Sequence, residues 1–117
     1  MSKLRSKEAD LLFEAILSLR DTQECYRFFE DICTIKELQS LVQRFQVACQ
    51  LDAGKNYMEV YESTGVSSAT ISRVNKCLVY GNGGYRMALD RLKDAGRIEY
   101  ESTDDSEKGL TGDFFAS

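Results

Sequence analysis

A chain of 117 residues, 43% hydrophobic and 29% charged, has the size and balance of one globular domain around one core. It contains no histidine, so the commonest metal ligand and the commonest general base are both missing, and with no proline its helices run without forced breaks. The formal net charge of −4 excludes a uniformly basic surface, but where that charge sits along the chain decides what it means.

Residues 2–7 carry Lys3, Arg5 and Lys7 without an acid. They form a loose basic arm suited to a phosphate backbone or simply to solvent. The first predicted helix is Lys7–Leu19. Seven of the nine residues in its LLFEAILSL stretch are apolar, so it is apolar on more than one face and needs burial on several sides. A monomer of this size has little material to cover it, which points to an intertwined or extensively packed dimer. The pattern breaks at Arg20–Thr22. Asp21 or Thr22 caps a second helix, TQECYRFFEDIC, in which Cys25, Phe28, Phe29 and Ile32 recur at helical spacing as core positions. Thr34 opens the third and longest helix, with Glu37 completing a capping box. Its apolar stripe is Leu38, Leu41, Val42, Phe45, Ala48, Cys49 and Leu51. Arg44 lies to one side of that stripe, and Gly54 ends the helix.

Lys55–Leu78 reads as a helix-turn-helix. Asn56 caps its first helix and Glu59 completes a second capping box. Val60 and Thr64 lie one turn apart, on the face that the next helix covers. Gly65 stops the helix where a left-handed backbone is needed, and Val66 turns inward. Ser67 or Ser68 caps the second helix. Ile71, Val74 and Leu78 form its buried stripe. Ser68, Ala69, Ser72, Arg73 and Lys76 occupy the opposite face, short or basic side chains that let a helix approach base edges. Tyr61 stands in mid-helix, where such motifs usually hold alanine, and must lean out or splay the pair. After Val79 and Tyr80, the glycines of GNGG break the chain. Tyr85–Ala95 is the last helix, with Met87, Ala88 and Leu92 inward and Gly96 as its stop.

Residues 97–117 hold six acids against two bases and so account for the whole net charge, while residues 1–96 hold 13 of each sign. The expected organisation is therefore a folded helical domain over 1–96, with its helix-turn-helix at about 56–78, and an acidic, disordered or weakly attached tail over 97–117. Phe114 and Phe115 in that tail could dock on the folded body, at no place that the sequence names.

Cys25, Cys33, Cys49 and Cys77 form no CxxC pair, and without histidine they complete no zinc site. They read as reduced, buried thiols of a cytoplasmic protein. No signal peptide is visible. The longest apolar-rich run, Leu11–Leu19, is far short of the ~20 residues that span a bilayer. An enzyme is disfavoured by the absence of a metal cluster, a phosphate loop and a nucleophile–base pair. GNGG lacks the lysine of a P-loop and is a linker. No catalytic residue and no metal ligand is assigned.

Taken together, a Thr-x-x-Glu helix opening, an arginine ten residues on, a glycine stop and a helix-turn-helix containing ATISR resemble the Trp repressor superfamily. The phrases CYRFFEDICTIKELQSL, TGVSSATISRVNKCL and YGNGGY, in this order, look like its Trp repressor-related branch of YerC/YecD-type regulators. The resemblance spans roughly Leu4–Lys93. It implies an all-α, Trp repressor-like fold in which two chains intertwine through their N-terminal helices. It also implies binding of the homodimer to a double-stranded DNA operator, with two half-sites about one helical turn apart.

Carried over residue by residue, the resemblance places Ser68, Ala69 and Ser72 at base-facing positions, with Ser67 beside them in the DNA-binding surface. Arg73, Lys76 and Lys55 fall at phosphate or guanine contacts. Arg44 and Arg73 match the two arginines that hold the amino-acid corepressor of the Trp repressor, and Thr34 and Thr70 match threonines lining that pocket. Val74, however, stands where the repressor has a glycine that leaves room for the ligand, and Lys76 falls near a ligand-contacting serine. A small-molecule corepressor is thus implied, with tryptophan disfavoured. Glu59 and Glu62 stand on the first helix of the motif, where the repressor presents basic residues to phosphate; Lys55, Lys76, Arg86 and the N-terminal arm would have to compensate. The expected function is transcriptional regulation, most simply repression, through the helix-turn-helix. The rival is a helical protein-interaction module that has kept the fold and lost DNA binding, which the two glutamates and the acidic tail favour.

Overall fold

In a computed structural model, residues 4–100 are described, and they form six helices with no strand. These are α1 Lys7–Leu17, α2 Thr22–Ile32, α3 Ile35–Asp52, α4 Tyr57–Thr64, α5 Ser68–Tyr80 and α6 Gly84–Asp94. The all-α expectation holds, and α3 is the longest helix at 18 residues. None of the helices in the described residues is long and apolar enough to cross a membrane. The chain divides into two compact units, Met1–Gln39 and Ser40–Ser117.

Local side-chain chemistry sets the helix starts of the first unit. The Ser6 hydroxyl accepts from the Ala9 amide at 2.9 Å, and the Asp21 carboxylate accepts from the Glu24 amide at 2.9 Å, so Asp21 rather than Thr22 is the cap of α2. Thr34 and Glu37 close the expected box reciprocally, at 3.1 and 2.8 Å. What this unit lacks is an interior: α1 and α2 contain no buried residue. Phe28 and Phe29 are half-buried and meet edge to face at 5.3 Å. Cys25 and Ile32, expected as core positions, are exposed.

The second unit has the core. Val47, Ala48, Cys49 and Ala53 from the end of α3, Val60 of α4, Val66 of the turn, Ile71 and Val74 of α5, Leu89 of α6, and Ile98 and Tyr100 beyond it form one cluster. Each Val, Leu or Ile fully buried there contributes about 1.5–3 kcal/mol. Four expectations are corrected here. Leu41 and Val42 of the expected α3 stripe are exposed; burial on α3 begins a turn later and includes Val47, Gln50 and Asp52. On α6 the inward residue is Leu89, with Ala88 and Leu92 half-buried and Met87 turned to solvent. Of the four free cysteines only Cys49 is buried, Cys33 is intermediate, and Cys25 and Cys77 are exposed. The folded body also continues past residue 96: the Arg97 amide donates to the Leu92 carbonyl, and Ile98 and Tyr100 are buried. Of the basic arm, residues 2 and 3 lie outside the described residues, as do 101–117 of the expected tail with Phe114 and Phe115.

Candidate nucleic-acid interface

The helix-turn-helix forms where the sequence places it, and each joint has a local cause. The Asn56 side chain accepts from the Glu59 amide and the Glu59 carboxylate accepts from the Asn56 amide, both at 2.9 Å, so α4 starts on a complete capping box. It ends at Gly65, with φ +75° and ψ 5°, a left-handed conformation that a side chain at Cβ disfavours. The Thr64 hydroxyl donates to the Val60 carbonyl at 2.7 Å, and its oxygen accepts from the Val66 amide at 3.2 Å, fixing the turn from inside. Val66 is buried. Of the two candidate caps of α5 it is Ser67 whose hydroxyl accepts from the Thr70 amide. At the other end Gly81 is forced by space, because a Cβ there would collide with the Cys77 carbonyl.

This framework sorts α5 into two faces. Ile71 and Val74 are buried at 0% and 2% exposure, and Leu78 packs half-buried against the core. Ser67, Ser68, Ala69, Ser72, Arg73 and Lys76 are all exposed. Three hydroxyls, a methyl and two cations thus share one accessible surface. Lys55 lies half-buried just before α4, its amide donating to the Gln50 carbonyl. Tyr61 is 52% exposed; it leans out, and the α4–α5 contact is kept.

The residues expected to hold a small ligand serve several parts of the fold. Thr34 belongs to the first unit, where its hydroxyl caps α3. In the second unit Arg44 is half-buried, and its charge acts on the Tyr85 phenol, whose ring stacks on Phe45 at 6.3 Å. Burial raises the Tyr85 pKa and the Arg44 charge lowers it, the burial effect being the larger. Thr70 is half-buried and its hydroxyl oxygen receives the Ser67 hydroxyl at 3.2 Å. Arg73 is exposed on the reading face. Val74 is wholly within the core.

One constellation has no signal in the sequence. Asp52, 5% exposed, receives the Arg86 guanidinium at 2.9 and 2.8 Å on Oδ1, Lys93 Nζ at 3.2 Å on Oδ2, and the Tyr100 hydroxyl at 2.7 Å on Oδ2. Lys93 also lies over the Tyr100 ring, 5.0 Å from its centre. A buried carboxylate is tolerated when it is paired and hydrogen-bonded in this way. Burial, the hydrogen bond to Asp52 and its charge all push the Tyr100 pKa up. Arg86, expected among the compensating cations, is paired with Asp52 and also reaches Asp90 at 3.3 Å, with its side chain 41% exposed. The network ties α6 and residue 100 to the end of α3, four residues ahead of the Asn56 cap, and so braces the motif.

Comparison with known proteins agrees with this geometry. Residues 7–93 match the family model described as Trp repressor protein. The chain is 58% identical over 94 residues to YerC, an uncharacterized protein of Bacillus subtilis, covering 80% of this chain and 90% of that one. A TrpR-like protein from Eubacterium eligens, 52% identical, superposes with a TM-score of 0.77 over 80% of this chain and 96% of the other. A candidate Trp repressor from Staphylococcus aureus, 47% identical, gives 0.78 over 86% and 99%. With sequence match, fold and motif in agreement over most of its length, the chain belongs to the Trp repressor family.

Proposed function

We propose that the protein is a sequence-specific DNA-binding transcriptional regulator that acts as a homodimer. The observation that carries this reading is the two-faced α5: Ile71 and Val74 lock it to the core while Ser68, Ala69, Ser72, Arg73 and Lys76 stay exposed together. In the groove, Ser68, Ala69, Ser72 and Arg73 would read base edges, with Ser67, Lys55 and Lys76 on the backbone. The absence of any buried residue in α1 and α2 supports the dimer, and the regulator character of the family supports the role in transcription. The packed Val74 favours a regulator that does not take tryptophan; a small carboxylate ligand held by Arg44 and Arg73, with Thr70, is the form that tuning would take.

The decisive experiment is selection of bound sequences from random duplex DNA by the purified chain. A preferred sequence with two related half-sites is expected. Ser72→Ala and Arg73→Ala should each weaken binding to it by roughly 1–3 kcal/mol for every base edge no longer read. Unchanged affinity would put another helix in the groove. The second reading, a protein-interaction module, rests on exposed Glu62. It requires no DNA binding even at low salt, whereas a regulator loses affinity steeply as salt rises, because phosphate contacts release counterions.

A further inference from the structure

When the second helix of such a motif lies in the major groove, the first crosses the sugar–phosphate backbone. Here that helix, α4, reads YMEVYEST and carries no lysine or arginine. Its backbone contacts must come from neutral donors, and two of its four side-chain donors are already committed. The Ser63 hydroxyl donates to Gln50 Oε1 at 2.7 Å, and the Thr64 hydroxyl donates to the Val60 carbonyl at 2.7 Å. Glu59 is also engaged, since its carboxylate is closed into the capping box with Asn56. It therefore faces phosphate less as a free charge than its place in the sequence implies.

Two side-chain donors on α4 are left. Tyr57 is 40% and Tyr61 52% exposed. They stand one turn apart on the same flank, beside the Val60 contact that seats α4. Neither hydroxyl makes a hydrogen bond within the described chain. Tyrosine hydroxyls belong to the ordinary set of phosphate-contacting groups. An exposed phenol with a rigid two-angle side chain also loses little entropy when it is held. We propose that Tyr57 and Tyr61 are the backbone-contacting residues of α4, donating their hydroxyls to phosphodiester oxygens where a cation would otherwise stand. This rests on the DNA-binding reading and deepens it. A neutral donor positions the protein without releasing a counterion, so these contacts add affinity with no salt dependence of their own.

The test uses the full chain with a selected duplex and an unrelated duplex, each titrated over a range of salt. Tyr57→Phe and Tyr61→Phe remove only the hydroxyls. Each should weaken binding several-fold, and the pair about tenfold, by the same factor on both duplexes and with an unchanged salt slope. Tyr61→Lys should bind more tightly at low salt and steepen the slope by about one. The inference is overturned if the double phenylalanine variant binds both duplexes like the parent, while the parent's own binding leaves the regulator reading standing. A loss confined to the selected duplex, which would mark base reading rather than backbone contact, overturns it too. If the parent binds neither duplex at low salt, the regulator reading itself falls and takes this inference with it.

Discussion

Asp52 shows how much of the second unit hangs on one side chain. It is buried, and Arg86, Lys93 and Tyr100 surround its two oxygens. Tyr100→Phe removes one donor and leaves Oδ2 less well satisfied, which should cost about 1–3 kcal/mol in urea unfolding. The same neighbourhood predicts alkaline sensitivity. Burial, followed by the Asp52 charge, pushes the Cys49 thiol from its ordinary 9.0 to about 11, and the Tyr100 phenol is pushed up from its ordinary 10.0. Both groups are held neutral in the fold, while in the unfolded chain they ionise at their ordinary values. The unfolded state therefore sheds protons first, and stability that is complete below about pH 9 declines as pH rises towards 11. Unfolding midpoints at about pH 7.5, 9 and 10.5 should fall in that order, and Cys49→Ala should flatten the decline. A midpoint independent of pH would mean these groups are not held neutral. None of this was legible in the sequence. The partners of Asp52 lie 34 to 48 residues away, and hydrophobic periodicity carries no information about which distant cation will meet a carboxylate.

At the scale of the element, what was legible is what is local. Capping boxes, the glycine stop and the turn into α5 depend on residues close together in the chain, and the boxes form at Thr34–Glu37 and Asn56–Glu59 as their spacing requires. Choices of face were less secure. Leu41, Val42 and Met87 fit a helical stripe yet are exposed, because periodicity gives the existence of an apolar face and not what covers it. Ile98 and Tyr100 were missed for the converse reason: an acidic, aperiodic stretch hid two residues that pack on a body built elsewhere. The turn offers the cleanest test. A Cβ at Gly65 would meet nothing within 4 Å, so only the backbone at φ +75° opposes it. Gly65→Ala should therefore destabilise by about 1–2 kcal/mol, with Gly65→Asn milder because asparagine tolerates that region. Urea midpoints of the two variants distinguish this backbone cost from a packing defect, which would penalise asparagine more than alanine.

For the molecule as a whole, the contrast between the units is the main physical fact. The second has a continuous core, whereas in the first no described residue is buried. Leu11 is 68%, Phe13 58% and Leu17 82% exposed on α1. A unit of this length rarely holds its own structure in water, and association is one of the standard remedies. Apolar surface on this scale marks a contact face, as the over-apolar LLFEAILSL stretch implies on its own. Charge points the same way. Residues 1–100 carry 14 bases and 14 acids, so net charge does not hold the chain on DNA, and in the proposed homodimer the affinity would rest on two reading heads acting together. If that face seats the proposed dimer, placing a charge in it should weaken dimerisation and DNA binding together. Leu11→Glu with Phe13→Glu is expected to sediment as a monomer where the parent sediments as a dimer. Its affinity for a two-half-site duplex should fall towards that for a single half-site, because the second head no longer arrives at high effective concentration. A variant that stays dimeric, or a parent that is monomeric at micromolar concentration, would mean that α1 is covered in some other way and that the two heads are not coupled through it.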